Sequence, residues 1–387
     1  MTARKKNRDT ATERSLNIPS FKVMDILEKS QAMEARGERI VHLEIGEPDF
    51  DTPDVVKEAA IEAIRAGRTK YTHSLGLDSL RRAIRADFLN EYGVEVSLDR
   101  IMVTAGTSNG LQLLLAALIE KGDEVIMGTP CYSCYPNFVS YLGGKPVMIK
   151  VREEEKFELK PEEVRKKITR RTKAILVNSP SNPTGMVMSA KTMEQLAQLG
   201  PIVVSDEIYH GLVYEGRAPS ILEFTDRAFV INGFSKRYAM TGWRLGYIIA
   251  PEQYVRPMQK IQQNFAISVN SFVQWGGVAA LEKGGDFVRK AVKSYDKRRL
   301  YMLERLEEIG LPVTHPPQGA YYFFTNASRL SKDSLMLTMD ILEKAKVAVT
   351  PGMDFGPGGE GYLRLTYANS MKEIKLGLTR LEGYLGK

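Results

Sequence analysis

Cysteine is nearly missing from this 387-residue chain, which has two. Both fall in one short segment, Cys131-Tyr-Ser-Cys134, so no disulfide framework can form and a reducing compartment such as the cytoplasm is expected. The C-x-x-C spacing invites a redox or zinc reading. A redox pair wants a helix N-terminus to lower one thiol's pKa, whereas Pro130 and Pro136 predict a loop here. A zinc site would need two further ligands, and four histidines with no second cysteine pair do not suggest one. Long apolar runs are missing too. The longest, Leu111 to Ile119, is interrupted by Gln112 and is far short of the ~18 residues of a membrane span, so no membrane partner is expected. Charge of one sign is barely in excess: 54 Lys and Arg stand against 47 Asp and Glu, a net +7. Part of that excess is Arg4, Lys5, Lys6, Arg8 and Arg14, with no apolar run behind them, so a solvated tail is expected rather than a secretory signal. The other basic residues are scattered and no helix-turn-helix extension precedes the domain, which argues against nucleic acid as a partner. No fixed repeat period marks a solenoid.

The chain does have the composition of an ordinary globular protein, 43% hydrophobic and 26% charged. At ~150 residues per domain, its length allows two or three domains. Its middle alternates short apolar runs with helical stretches. Candidate strands are Ile101–Thr104, Glu124–Met127, Lys145–Ile149, Ala174–Val177, Ile202–Ser205, Ala228–Ile231 and Gly246–Ile249. Several are apolar at consecutive positions, as strands covered on both faces should be. Helices are predicted over Ser108–Lys121, Lys160–Ile168 and Lys191–Leu199. Strand, helix, strand in succession reads as an α/β fold with a mostly parallel seven-stranded sheet wrapped by helices. From about Glu252 longer helical stretches take over, Phe287–Ile309 the clearest, with a strand pair near Ala320–Phe324 and Tyr362–Leu365. The expected organisation is a large domain over 47–285, a smaller α+β domain over 286–387, and an N-terminal segment, 1–46, packed on the smaller one.

In a doubly wound sheet, ligands bind beyond the carboxyl ends of the strands. After Ile101–Thr104 comes Ala105-Gly106-Thr107-Ser108-Asn109-Gly110 and an apolar helix, a pattern that serves as a turn and N-cap or as an anion cup for a phosphate. After Ala174–Val177 comes a stiff turn carrying Asn182. After Ile202–Ser205 come Asp206, Glu207 and Tyr209, and after Ala228–Ile231 come Ser235 and Lys236, with Arg244 eight residues on. A lysine at the end of a buried strand can carry a lowered pKa and form an imine with an aldehyde. Pyridoxal 5′-phosphate, an aromatic aldehyde with a ring nitrogen and a phosphate, uses the rest of the set. Asp206 keeps the pyridine nitrogen protonated, so that the ring draws electrons. Tyr209 and Asn182 donate to the phenolate oxygen, Arg244 and the 106–108 cup neutralise the phosphate, and Tyr132 stacks over the ring.

At these residues the sequence strongly resembles the fold-type I, pyridoxal-phosphate-dependent aminotransferases of class I/II, the broad aspartate and aromatic aminotransferase group. Gly233-Phe-Ser-Lys236-Arg-Tyr-Ala-Met-Thr-Gly-Trp-Arg244-Leu-Gly246 fits the family's cofactor-lysine signature at every constrained position. Asn182-Pro-Thr-Gly185 and Asp206-Glu-Ile-Tyr209 resemble its two other landmarks, and further matches run from Ile45–Phe50 to Gly361–Leu365. The resemblance implies that Lys236 forms the internal aldimine and then moves the proton between the substrate Cα and the cofactor. It also implies that Arg364 clamps the substrate α-carboxylate, that Gly46 lies close to the substrate, and that Tyr71 reaches the phosphate of a neighbouring subunit. A homodimer with shared active sites follows, exchanging an amino group between an L-amino acid and a 2-oxo acid by a ping-pong cycle.

Three departures stand out. Gly233 replaces a serine that binds phosphate in many members, the Met193–Pro201 link is short, and Ser108 stands where some bacterial aspartate aminotransferases carry a lysine for the distal carboxylate. The distal pocket is expected to draw on loops and the partner subunit, with Ile18–Phe21 and Tyr71 as candidates. The aromatic run Ala320–Phe324 reads as a core strand rather than a ligand surface. The same lysine and electron sink would serve a carbon–sulfur β-lyase. A binding protein that kept the fold, a non-catalytic nucleic-acid-binding regulator, is the alternative from another class.

Overall fold

A computed structural model describes residues 11–386; the basic residues Arg4, Lys5, Lys6 and Arg8 lie outside the described residues. The central sheet has seven strands: β1 (Ile101–Thr104), β2 (Glu124–Thr129), β3 (Lys145–Lys150), β4 (Thr172–Asn178), β5 (Ile202–Asp206), β6 (Ala228–Gly233) and β7 (Gly246–Ile249). Their order is β1-β7-β6-β5-β4-β2-β3. Only β7 runs against its neighbours, pairing antiparallel with both β1 and β6.

The apolar runs follow from burial of both faces. Alternate residues of one strand point to opposite sides. Ile126, Ile175, Val203 and Val230 join one hydrophobic cluster, while Val125, Leu176, Val204 and Phe229 join another. Each such side chain contributes ~1.5–3 kcal/mol by leaving water. Helix Thr107–Leu118 packs Leu111, Leu114 and Leu115 into the second cluster, and Leu80, Ile84 and Phe88 of helix Asp78–Tyr92 pack into the first.

A third cluster unites helix Gly285–Glu308 (Tyr295, Met302, Leu306) with Tyr322 and Phe323. There, strand Tyr322–Asn326 pairs antiparallel with Tyr362–Thr366, which also pairs with Thr350–Pro351. The predicted strand at 320–324 is thus shifted two residues along the chain. Near the N-terminus, Val41–His42 pairs with Val347–Ala348.

One expectation is corrected at the cysteines. Cys134 does not sit in a loop: it opens the helix Cys134–Tyr141, because Pro136 lies in the first turn, where a missing N–H costs nothing. Both thiols are free. Burial pushes Cys131 up to about 12 and raises Cys134 as well, which opposes the thiolate that redox chemistry requires. Among the described residues, no group of histidine, cysteine and carboxylate side chains could hold a metal, and no helix is long and apolar enough to cross a membrane.

Candidate active site

The parallel strands bring their carboxyl ends to one edge, where Asn178 of β4 is in register with Asp206 of β5. Because β7 runs the other way, its first residue, Gly246, lies level with Gly233 and Thr104, and this delivers Arg244 to the same edge. A cavity of about 300 Å³ opens there. Gly46, Thr107, Ser108, Tyr132, Asn182, Asp206, Tyr209, Ser235, Lys236, Arg244 and Arg364 all line it.

Asp206 is buried and accepts hydrogen bonds from Tyr135 Oη at 2.7 Å and from the Ile208 N–H at 3.1 Å. Burial pushes its carboxyl up to about 6, opposed by those bonds and by Lys236. Its neighbour Glu207 points away from the cavity and accepts from Ser220 Oγ and the Ile221 N–H. Adjacent positions at the end of β5 thereby separate into one residue facing the site and one holding the scaffold.

Lys236 Nζ donates to the Gly46 carbonyl at 2.6 Å. Burial pulls this ammonium down to about 8, aided by Arg364 and Arg244 and opposed by Glu47. A free amine is therefore accessible near neutral pH. Gly46 is held tightly, since a Cβ there would collide with the Tyr322 hydroxyl.

Gly106, at φ +85°, precedes helix Thr107–Leu118, and a Cβ on it would lie 2.6 Å from Arg244 Nη2. Arg244 itself has φ +53°, a left-handed conformation uncommon outside glycine and frequent at functional sites. The helix N-terminus and the guanidinium together form a cradle for an anion.

Arg364 is 4% exposed. It donates through Nη1 to Asn182 Oδ1 at 2.9 Å, through Nη2 to Thr350 Oγ1 at 3.2 Å, and through Nη2 also to the Glu44 carbonyl. Its guanidinium lies over the Tyr322 ring, 4.4 Å from the centroid, and its Nε–H has no partner among the described residues. The Tyr209 and Tyr322 hydroxyls are 2.8 Å apart.

Tyr71 is not brought to this cavity; it is 80% exposed. The structure also supplies wall residues that the motifs did not single out: Tyr135 beneath Asp206, Tyr322 against Tyr209, and Val23, Met24 and Leu27 of helix Lys22–Glu34. Phe21, inside the expected distal-pocket segment, lines the cavity too. Tyr322 corrects the reading of 320–324 as core alone, because its ring packs inside while its hydroxyl reaches the site. The sign in the sequence was a hydroxyl inside an otherwise apolar run.

The donor set fits pyridoxal phosphate: a buried amine of lowered pKa, a buried carboxylate, a cationic anion cradle, and a phenol beside an amide. Comparison with known proteins points the same way. Residues 38–381 match the model of the family described as aminotransferase class I and II. The chain is 40% identical to the (5-formylfuran-3-yl)methyl phosphate transaminase of Methanocaldococcus jannaschii, across 97% of this chain and 100% of the other. It is 37% identical to an aspartate aminotransferase of Pyrococcus horikoshii, across 98% of each. Its fold is similar to that of Thermus thermophilus aspartate aminotransferase with maleate, with a TM-score of 0.93, 36% identity, and 97% and 99% of the two chains covered. It is also similar to a Methanococcus jannaschii protein described as similar in its active site to kynurenine aminotransferases, with a TM-score of 0.90, 40% identity, and 97% and 100% covered. None of these relatives is named as a lyase or a nucleic-acid-binding protein.

Proposed function

Because the chain belongs to the class I and II aminotransferase family, and is thus a pyridoxal-phosphate-dependent transaminase of fold type I, we propose that the cavity at the sheet edge is its active site. There it moves an amino group between an L-amino acid and a 2-oxo acid. The observation that carries this reading is the buried Lys236 amine, lowered to about 8, beside an anion cradle and a buried carboxylate.

Lys236 is the residue that would hold the cofactor, and Asp206 would supply the counter-charge for its ring nitrogen. Tyr209 and Asn182 would serve its phenolic oxygen. Arg244, Ser235 and the Gly106-Thr107-Ser108 turn would hold the phosphate, and Tyr132 would pack against the ring. When bound, the cofactor supplies the electron sink that weakens the substrate's Cα–H bond. Arg364 orients the substrate through its α-carboxylate, a task suited to the guanidinium fork and to the unpartnered Nε–H. Lys236 Nζ would take up the substrate's Cα proton as general base and give a proton back as general acid. The apolar walls exclude water that would compete for it.

A homodimer in the cytoplasm completes the reading, with Tyr71 reaching into a second copy's site. Supporting this, Tyr71 and Phe265 are 80% and 86% exposed, and a bond from the Thr72 N–H to Ser268 Oγ joins their two segments. The division into 47–285 and 286–387, with the first 46 residues serving the smaller part, is supported by the third cluster and by the pairing of Val41 with Val347. The test is the visible spectrum of the purified protein with pyridoxal phosphate, followed by titration with amino acids. A yellow species bleached by an amino acid, with release of a 2-oxo acid, supports the assignment; a colourless protein rejects it.

A further inference from the structure

Asp206, Tyr209 and Lys236 line the cavity, while the residue after each, Glu207, His210 and Arg237, does not. These three neighbours gather in one buried polar cluster on the far side. Glu207 and His210 are 0% and 2% exposed within a single chain, so a second copy adds no contact to them. Glu207 Oε1 accepts from Ser220 Oγ and from the Ile221 N–H, both at 3.0 Å. Its Oε2 has no hydrogen-bond partner among the described residues and lies 3.5 Å from His210 Nδ1. That same nitrogen is 2.6 Å from Tyr92 Oη, at the end of helix Asp78–Tyr92. The segment 206–210 is therefore gripped from behind near both of its ends.

The cations packed on this cluster are already engaged. Arg237 pairs with Asp87 at 2.9 Å and Glu91 at 3.3 Å, both on helix Asp78–Tyr92, and Arg217 pairs with Glu223 at 2.6 Å. The other groups facing Glu207 are the Ser205 hydroxyl and two phenols, Tyr92 and Tyr247 of β7, which burial keeps neutral. An ionised Glu207 would thus be a buried charge with donors on one oxygen and no cation of its own, a costly state. A neutral acid fits the same contacts. With Oε1 accepting twice, its proton belongs on Oε2, toward His210 Nδ1. Burial works in the same direction, pushing Glu207 up to about 8 and pulling His210 down to about 3.

Resting on the transaminase reading above, we propose that Glu207 carries a proton in the folded protein and that, with His210 and Tyr92, it is a positioning residue that fixes Asp206 and Tyr209 for the cofactor from the side away from the cavity. Loss of that proton loosens the grip and weakens cofactor binding. Two measurements test this: the infrared spectrum of the holoenzyme made with isotopically labelled glutamate, and pyridoxal phosphate affinity by fluorescence titration, each at pH 7 and pH 9.5. A label-sensitive protonated-carboxyl band should be present at pH 7, lost at pH 9.5, and missing from Glu207→Gln at both. Because the amide stays neutral, the affinity of wild type should fall between the two pH values about fivefold or more beyond any fall in Glu207→Gln. A group that only stabilised the fold would not move this difference. No such band in wild type, which is readable even if Glu207→Gln fails to fold, overturns the inference; so does an equal pH dependence of affinity in the two proteins. Both results leave transamination intact. If pyridoxal phosphate binds neither protein at either pH, the transaminase reading itself falls and takes the positioning role with it.

Discussion

Lys236 and Arg364 are both buried cations, and the structure treats them differently. Lys236 has one close acceptor, the Gly46 carbonyl, so burial dominates and the amine falls to about 8. Below that value the neutral fraction grows tenfold per pH unit. Incorporation of pyridoxal phosphate by the cofactor-free protein should therefore accelerate about tenfold per unit below pH 8 and level off above it, as followed by stopped-flow absorbance. Lys236→Ala should lower kcat by about 10³-fold or more while leaving the fold intact by circular dichroism. Arg364 is surrounded by acceptors and stays a fork. Arg364→Lys should raise KM for the amino acid by about 30–100-fold with a smaller change in kcat, measured by steady-state kinetics, because a point charge cannot reproduce two parallel bonds. Lys236 was legible because it follows a strand whose end the sequence marks, whereas Arg364, inside the strand Tyr362–Thr366, was singled out by the family resemblance alone. Tyr135, which donates to Asp206 across 71 positions, was not, since nothing local distinguishes it from a core tyrosine.

The helix Lys22–Glu34 and the strand Val41–His42 link the N-terminal segment to the rest of the chain. Asp354 holds the start of the helix through Lys22 and also binds Ser133. Asp354→Ala should raise substrate KM about fivefold to tenfold with kcat little changed, the loss of one or two hydrogen bonds. His42 Nδ1 lies 2.7 Å from Oε1 of the buried Glu44, and Nε2 lies 3.2 Å from Glu34 Oε1. The bond to Glu44 raises the imidazole to about 9 despite partial burial. A raised folded-state pKa means that the stabilisation is full below the ordinary value near 6.5 and is lost as pH rises through about 9. His42→Ala should thus cost about 1–2 kcal/mol at pH 6, and the gap to wild type should narrow by pH 9.5 in urea titrations. The strands and helices named from the sequence lie within about three residues of their observed bounds. The exception, at Cys134, arose because proline was read as a breaker where it sat in a first turn.

With Tyr71 exposed on one chain, the assembly can be tested through function. Sedimentation should give close to twice the 43.4 kDa of a single chain. Mixing Lys236→Ala with Tyr71→Ala subunits should restore roughly a quarter of wild-type activity, because half the random pairs contain one complete site out of two. Absence of restoration, with mixed pairs verified by mass, would place Tyr71 outside a shared site.

The sequence by itself determined the fold class and the set of residues gathered at the strand ends, because a two-sided sheet leaves consecutive apolar runs and its carboxyl edge collects the loop residues that follow them. Only the tertiary structure decided which distant groups support those residues. Tyr135 under Asp206, Tyr322 against Tyr209, Thr350 on Arg364 and Asp354 at the start of the helix are contacts between segments far apart in the chain. Such contacts depend on packing between faces, for which neither local periodicity nor a motif carries a signal.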